Sequence, residues 1–185
     1  RSGDLDGAIL LAPLAFQIRI TGVPAKIVAL AHRDGSGLIV NAREEINAPQ
    51  DLKGKTIAIP HRFSTNNFLL HLYLGEAGLE YGKDYKTVEI PPPQMFAALS
   101  TGQIDGYITA EPFLTQAEFS GAGKVLVLTN KIWKNHPDCL LLMREDFISE
   151  HPEAMQELVN SIVREGIWVE ENRKILVLEG TNLSD

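Results

Sequence analysis

The residue types most able to do chemistry sit together in one short stretch. A β-branched run, Thr56-Ile57-Ala58-Ile59-Pro60, is followed by His61-Arg62-Phe63-Ser64-Thr65-Asn66 and then by helix-forming residues. A helix start presents unpaired N–H groups and the positive end of the helix dipole. Small hydroxyl residues there cap the helix or hold an anion through the same donors, and Arg62 adds positive charge. Plain capping by Ser64 or Thr65 accounts for the hydroxyls without any ligand. The chemistry such a place offers is anion capture, with no bond made or broken.

Catalytic constellations are missing. The chain carries no Gly-x-Ser-x-Gly elbow, no Walker loop, no His-Glu-x-x-His and no dinucleotide glycine fingerprint. Its 5 histidines are scattered without ligand spacing. His136-Pro137 and His151-Pro152 read as turn or helix-start residues, and His32 as a structural or exposed residue at a strand end. The single cysteine, Cys139, reads as a core residue; it allows no intrachain disulfide and no cysteine metal cluster. A net charge of −7 without a long basic run argues against nucleic acid as a partner. No apolar run approaches the roughly 20 residues of a membrane span. The chain opens at Arg1, directly into a turn and a core strand, which leads us to expect a fragment of a longer protein.

The elements that must position the site follow from hydrophobic period and turn residues. Gly7-Ala8-Ile9-Leu10-Leu11 reads as a strand ended by Pro13, then a short helix to about Ile20. Residues 25–31 read as a strand joined by Arg33-Asp34-Gly35-Ser36 to a return strand at 37–40, a hairpin. The polar residues 41–50 read as a linker and a first crossing between lobes. After the run at 56–59 come a helix at 66–76 with Phe68, Leu69, Leu72 and Tyr73 on one face, a strand at 85–90, a helix opened by Pro91-Pro92-Pro93, a strand at 107–109, a helix at 113–119 and a strand at 125–128. This alternation predicts a mainly parallel α/β sheet. Residues 129–138 read as an irregular return crossing and 139–143 as a buried strand. Ser149 is the expected cap of a long helix that reaches or adjoins residues 170–174, and residues 180–185 read as a frayed end.

One pattern occurs twice. Gly3, Asp6, Gly7, Ile9 and Pro13 recur in the same register as Gly102, Asp105, Gly106, Ile108 and Pro112. A strand-and-loop unit repeated once at this separation suggests two similar lobes. In open α/β sheets ligands sit outside the carboxyl ends of the strands. That rule selects the loops at 61–65, 91–94 and 110–113, with Pro13 and Leu14 as the matching loop of the first half. Gln94 could donate to an oxyanion, and Glu111 could meet a cation, an amine or a structural N–H. Asp105 with Glu111 could form an acid/base pair, but its equal at Asp6 points to a turn aspartate in both lobes.

With these residues in place, a family resemblance follows. Asp51-Leu52-Lys53-Gly54-Lys55-Thr56-Ile57-Ala58, Gly102-Gln103-Ile104-Asp105-Gly106 and Glu111-Pro112-Phe113 resemble the solute-binding proteins of ABC importers for nitrate, sulfonate, taurine and thiamine precursors. Pro91-Pro92-Pro93-Gln94-Met95, Glu111-Pro112 and Ile132-Trp133-Lys134-Asn135-His136-Pro137 resemble the nitrate/bicarbonate branch most. The resemblance runs from Gly3 to about Glu171. It implies a two-lobed type II periplasmic-binding-protein-like α/β fold, with lobe one incomplete: residues 1–48 as part of lobe one, 49–130 as lobe two, and 131–185 as the return crossing and the rest of lobe one. It implies ligand contacts at Pro13, Leu14, His61, Arg62, Ser64, Thr65, Asn66, Gln94, Asp105 and Glu111. The expected ligand is a small anionic or zwitterionic solute and the partner an ABC permease in the membrane. The expected protein is a monomeric, non-enzymatic binding module outside the cytoplasm. No cofactor or metal site is expected, although calcium and a lipid anchor stay open. Phe113 stands where nitrate-type proteins commonly have tryptophan, which leaves the solute open. Two other readings remain: a cytoplasmic nitrate-type sensor, and an enzyme like the thiamine-pyrimidine synthases, whose cysteine-rich motif Cys139 alone does not supply.

Overall fold

The structure, a computed structural model, describes residues 3–172. The expected frayed end at 180–185 lies outside them, as do residues 173 and 174 of the expected helix extension. Among the described residues eight strands form two sheets. They are β1 (Gly7–Leu11), β2 (Ala25–Arg33), β3 (Ser36–Asn41), β4 (Thr56–Ile59), β5 (Lys86–Glu89), β6 (Gly106–Ala110), β7 (Gly123–Leu128) and β8 (Pro137–Arg144). One sheet has the order β1-β8-β2, the other β5-β4-β6-β3-β7. The helices are α1 (Ala12–Ile20), α2 (Thr65–Glu76), α3 (Pro92–Ser100), α4 (Phe113–Phe119), α5 (Thr129–Ile132), α6 (Glu145–Glu150) and α7 (Pro152–Glu171).

The expected parallel α/β unit is present. β4 pairs in parallel with β5 and β6, with helices between them. Its core is built from the apolar residues of the two inner strands β4 and β6: Ile57, Ala58, Ile59, Tyr107 and Ile108 are all buried, against Leu70, Leu74, Met95 and Leu99 of the helices. Each large aliphatic side chain so buried contributes about 1.5–3 kcal/mol. The buried face of α2 is Leu69, Leu70 and Leu74; Phe68 is exposed and packs edge-on against Trp133. This corrects the expectation at Phe68; Leu69 is buried as expected, and Leu72 and Tyr73 are half-buried.

The hairpin is not formed. β3 does not pair with β2; it inserts antiparallel between β6 and β7. Asp34 and Gly35 do take the positive φ values of a tight turn, 54° and 78°. Their turn passes the chain from one sheet to the other, with Asp34 N–H donating to the His136 carbonyl and Glu111 N–H to that of Gly35. The sheet change therefore lies at 33–36, and the polar stretch 41–50 stays within the five-stranded unit. Ile46 is buried in that unit's core, and Asp51 there accepts from Asn47 N–H and Ala48 N–H. The local composition of 41–50 could not show this, because the pairing of β3 is decided by strands far along the chain.

Two smaller corrections concern the carboxyl half. The stretch 129–138 contains α5, and the strand after it begins at Pro137. Ser149 does not start the long helix. Pro152 does, from the first turn, where its missing N–H costs nothing, and the residue before a proline resists helical backbone. Of the apolar face expected on α7, Met155 is buried and Val159 and Ile162 are half-buried, while Leu158, Val163 and Ile167 are exposed. The three-stranded sheet buries Leu140, Leu141, Leu142 and Met143 of its middle strand β8. An apolar pocket of about 480 Å³ opens beside β1 and α1, lined by Leu10, Ile18, Val23 and Leu142 among others.

Candidate functional site

The site grows from the carboxyl end of β4. The chain leaves the sheet at Pro60, and the loop 61–64 ends at Ser64, the N-cap of α2. Ser64 Oγ accepts the N–H of Asn67 at 3.0 Å. Ser64, Thr65 and Asn66 are all buried. Burial at a helix start is unusual for a solvent-capped helix, since the first-turn N–H groups normally face water. Here α2 points its first turn at the amino end of β8. Thr65 Oγ1 lies 3.4 Å from the carbonyl oxygens of both Pro137 and Asp138. Asn66 Oδ1 and Asn67 Oδ1 are buried without a hydrogen-bond partner among the described residues. Orphaned polar atoms of this kind carry a desolvation cost that a ligand or water removes.

The two passages between the sheets run side by side at this point. Ser36 Oγ donates to Asp138 Oδ2 at 3.3 Å, and Thr129 Oγ1 donates to the Ser36 carbonyl at 2.8 Å. His32 Nε2 lies 3.1 Å from Asp138 Oδ2. The Asp138 carboxylate raises the His32 pKa above its ordinary value, against the opposing effect of partial burial. His136, read from sequence as a turn residue, is fully buried. Its Nδ1 donates to the Trp133 carbonyl at 2.8 Å and lies 2.9 Å from Asp34 Oδ1.

The other expected site residues divide into those gathered here and those held elsewhere. Pro13 and Leu14 occupy the first turn of α1, directly after β1, whose last residue Leu11 pairs with Cys139. They therefore flank the same end of β8. His61 and Arg62 precede the α2 cap. Arg62 stacks over its neighbour Phe63 at 5.2 Å from the ring centroid. His61 Nδ1 accepts from Phe63 N–H. Glu111 sits at the carboxyl end of β6, as the strand-end rule requires, but its carboxylate accepts the Thr115 N–H at 3.1 Å and so caps α4. Gln94 is exposed on α3 and lines a separate shallow pocket of about 320 Å³ with Glu89, Ile90 and Gln103.

Asp105 is a correction. It precedes β6 and stands at the amino edge of the sheet, the edge away from α2's first turn. Thr56 N–H donates to it at 2.7 Å and Lys55 Nζ at 3.2 Å, while Lys55 also donates to Glu44. It is a structural turn carboxylate, as its match with Asp6 suggested. Sequence reasoning missed the roles of Ser36 and Asp138 at the crossing. Neither carries a motif, because their meeting depends on two distant segments.

A nucleophile is not evident here. Burial first, and then the Asp138 charge, push the Cys139 thiol up to about 11, so it is protonated at neutral pH. What the arrangement can do is hold: buried small polar groups, a helix start, and two strands crossing between sheets.

The model of the NMT1-like family matches residues 1–177. The nitrate/nitrite-binding protein NrtA of Synechocystis is 27% identical over 92% of this chain and 42% of its own length. Its crystal structure, a periplasmic nitrate-binding protein, superposes with a TM-score of 0.82 at 25% identity, covering 92% of this chain and 49% of that one. A ligand-binding component of an ABC-type import system from Staphylococcus aureus, solved with zinc bound, gives a TM-score of 0.83 at 29% identity, over 94% of this chain and 60% of that one. The bicarbonate transport ATP-binding protein CmpC of Synechocystis is 36% identical over 58% of this chain and 16% of its own length. This chain thus spans about half the length of the solute-binding relatives it matches, and its α/β fold is that of periplasmic binding proteins.

Proposed function

The chain belongs to the NMT1-like family, and from that premise we propose that it is part of the solute-binding component of an ABC import system. In this reading residues 3–33 and 137–171 belong to one lobe and residues 36–132 to the other, joined by the two crossings at 33–36 and 132–137. The ligand is a small anionic or zwitterionic solute of the nitrate, bicarbonate or sulfonate class. It is captured where the α2 start meets the amino end of β8. The protein works outside the cytoplasm, free or lipid-anchored, as a monomer, and its closed form docks on a membrane permease. No helix among the described residues is long and apolar enough to cross a membrane.

The observation that carries the reading is the buried first turn of α2. Ser64, Thr65 and Asn66 are at most 4% exposed, so the donors of this helix start lie away from water. Helix-start N–H groups and buried hydroxyl and amide groups bind an oxyanion without needing a net positive chain. Closure of two lobes over such a group is a population shift driven by the ligand's preference for the closed state.

The test is a thermal-shift screen of the intact protein with nitrate, nitrite, bicarbonate with and without calcium, taurine and alkanesulfonates. Bound solute raises the melting temperature by linkage. One small anion is expected to raise it, and Thr65→Val or Asn66→Leu to abolish that shift. A flat screen, or a shift that survives both substitutions, overturns the reading.

A further inference from the structure

We propose that His32, Asp138 and Cys139 form a binding site for a divalent transition-metal ion of the zinc class. Their ligand atoms (an imidazole nitrogen, a carboxylate oxygen and the thiol sulfur) all lie within 4.8 Å of one another. The sequence separates His32 from the other two by most of the chain, and the β-ladder brings them together. β2 and β8 run antiparallel with His32 opposite Cys139, and a register shift on either side of His32 re-aims that residue. Bulges of this kind commonly turn a side chain toward a site.

Asp138 supplies the independent observation. It is 2% exposed, and its Oδ1 has no hydrogen-bond partner among the described residues. Its other oxygen lies 3.1 Å from His32 Nε2 and 3.3 Å from Ser36 Oγ. Two ligand atoms on one tetrahedral ion, each at roughly 2.0–2.1 Å, stand a little over 3 Å apart. The observed His32–Asp138 spacing therefore suits a shared ion as well as a hydrogen bond. The thiol lies within 4.8 Å of the other two ligand atoms and, with a longer metal–sulfur bond of about 2.3 Å, moves inward to bind. One nitrogen, one sulfur and one carboxylate favour zinc-class ions over calcium or magnesium, which take oxygen shells. On binding, the ion replaces the thiol proton, which goes to solvent, and the thiolate becomes the ligand. Three protein ligands leave a fourth position for water or another small ligand.

The site ties β2 to β8 at the place where the chain passes between sheets, and it does not rest on the solute reading above. The test uses intact protein freed of metal with a chelator and titrated with Zn²⁺ and Co²⁺. The expected result is 1:1 binding, with a thiolate-to-cobalt charge-transfer band in the near ultraviolet. His32→Gln and Cys139→Ser are each expected to weaken binding at least tenfold, with melting curves taken without metal to confirm that both variants fold. The unaltered protein gives a second readout, since bound Zn²⁺ slows alkylation of Cys139. No binding up to millimolar Zn²⁺, bound Co²⁺ without a thiolate band, or either folded variant binding as tightly as the parent overturns the site.

Discussion

The units at 6–13 and 105–112 share one sequence pattern and lead opposite structural lives. Both are five-residue strands that feed a helix, β1 into α1 and β6 into α4, as the repeat implied. β6 lies inside its sheet, flanked by β4 and β3, and every residue of it but the last is buried. β1 lies at the edge of its sheet with β8 as its one neighbour among the described strands; none of its residues is buried, and Ile9 is 56% exposed. The aspartates differ in the same way. Asp105 accepts from Thr56 N–H and Lys55, whereas the Asp6 carboxylate is 3.7 Å from Arg144 and largely exposed. Recurrence of a pattern thus reports a shared local geometry. It says nothing of how much surrounds it.

The largest expected difference is at the matched glycines. A Cβ at Gly106 would stand 2.6 Å from the Ile39 carbonyl oxygen, a backbone atom of the adjoining strand in the sheet interior. Gly106→Ala is expected to cost about 2–4 kcal/mol in denaturant unfolding. At Gly7 the nearest atom is the Met143 sulfur, which can swing away, although the Leu142 carbonyl is also close at 2.8 Å. An edge strand can shift, so Gly7→Ala is expected to cost less. Equal losses would break the comparison. Next come the aspartates: Asp105→Ala is expected to lose about 1–2 kcal/mol and Asp6→Ala no more than about 0.5 kcal/mol by the same measurement. A smaller effect should follow from Tyr107, whose hydroxyl donates to the Phe113 carbonyl at 2.6 Å; the matched residue in β1 is Ala8 and has no such bond. Tyr107→Phe should lose about 1 kcal/mol and speed amide exchange in the loop beside Glu111.

The smallest effect concerns pH. Burial lowers the pKa of His71 on α2, so the folded state resists its protonation. Its unfolded pKa is near 6.5, and the unfolded chain binds the proton first as pH falls. The stability associated with neutral His71 is therefore full above about pH 6.5 and declines as pH drops toward the folded value. His71→Gln should flatten that decline in melting temperature between pH 7 and 5. An unchanged slope would assign the decline to other groups.

Much of the five-stranded unit was legible because its evidence is local. Ser64 caps α2 and Pro91-Pro92-Pro93 opens α3, each through its own backbone chemistry. The site was legible in part. Ser64, Thr65 and Asn66 were singled out as candidates from the strand–loop–helix pattern, and Asp105 was grouped with them although it stands at the far edge of the sheet. Asp138, Ser36 and the buried His136 were not found, since a lone polar residue in an apolar run has no period to mark it.

The sequence by itself determined the alternation of strands and helices, the twofold recurrence of the turn-strand-proline unit and the helix start with its hydroxyls. These depend on propensities and contacts within about one turn or one hairpin. Only the tertiary structure decided that β3 leaves β2 for the other sheet, that the crossings fall at 33–36 and before Pro137, and that Asp138 meets His32, Ser36 and Thr65. Strand pairing is a choice among distant partners with similar backbone hydrogen-bonding groups. Burial of the whole chain makes that choice, and no short stretch carries it.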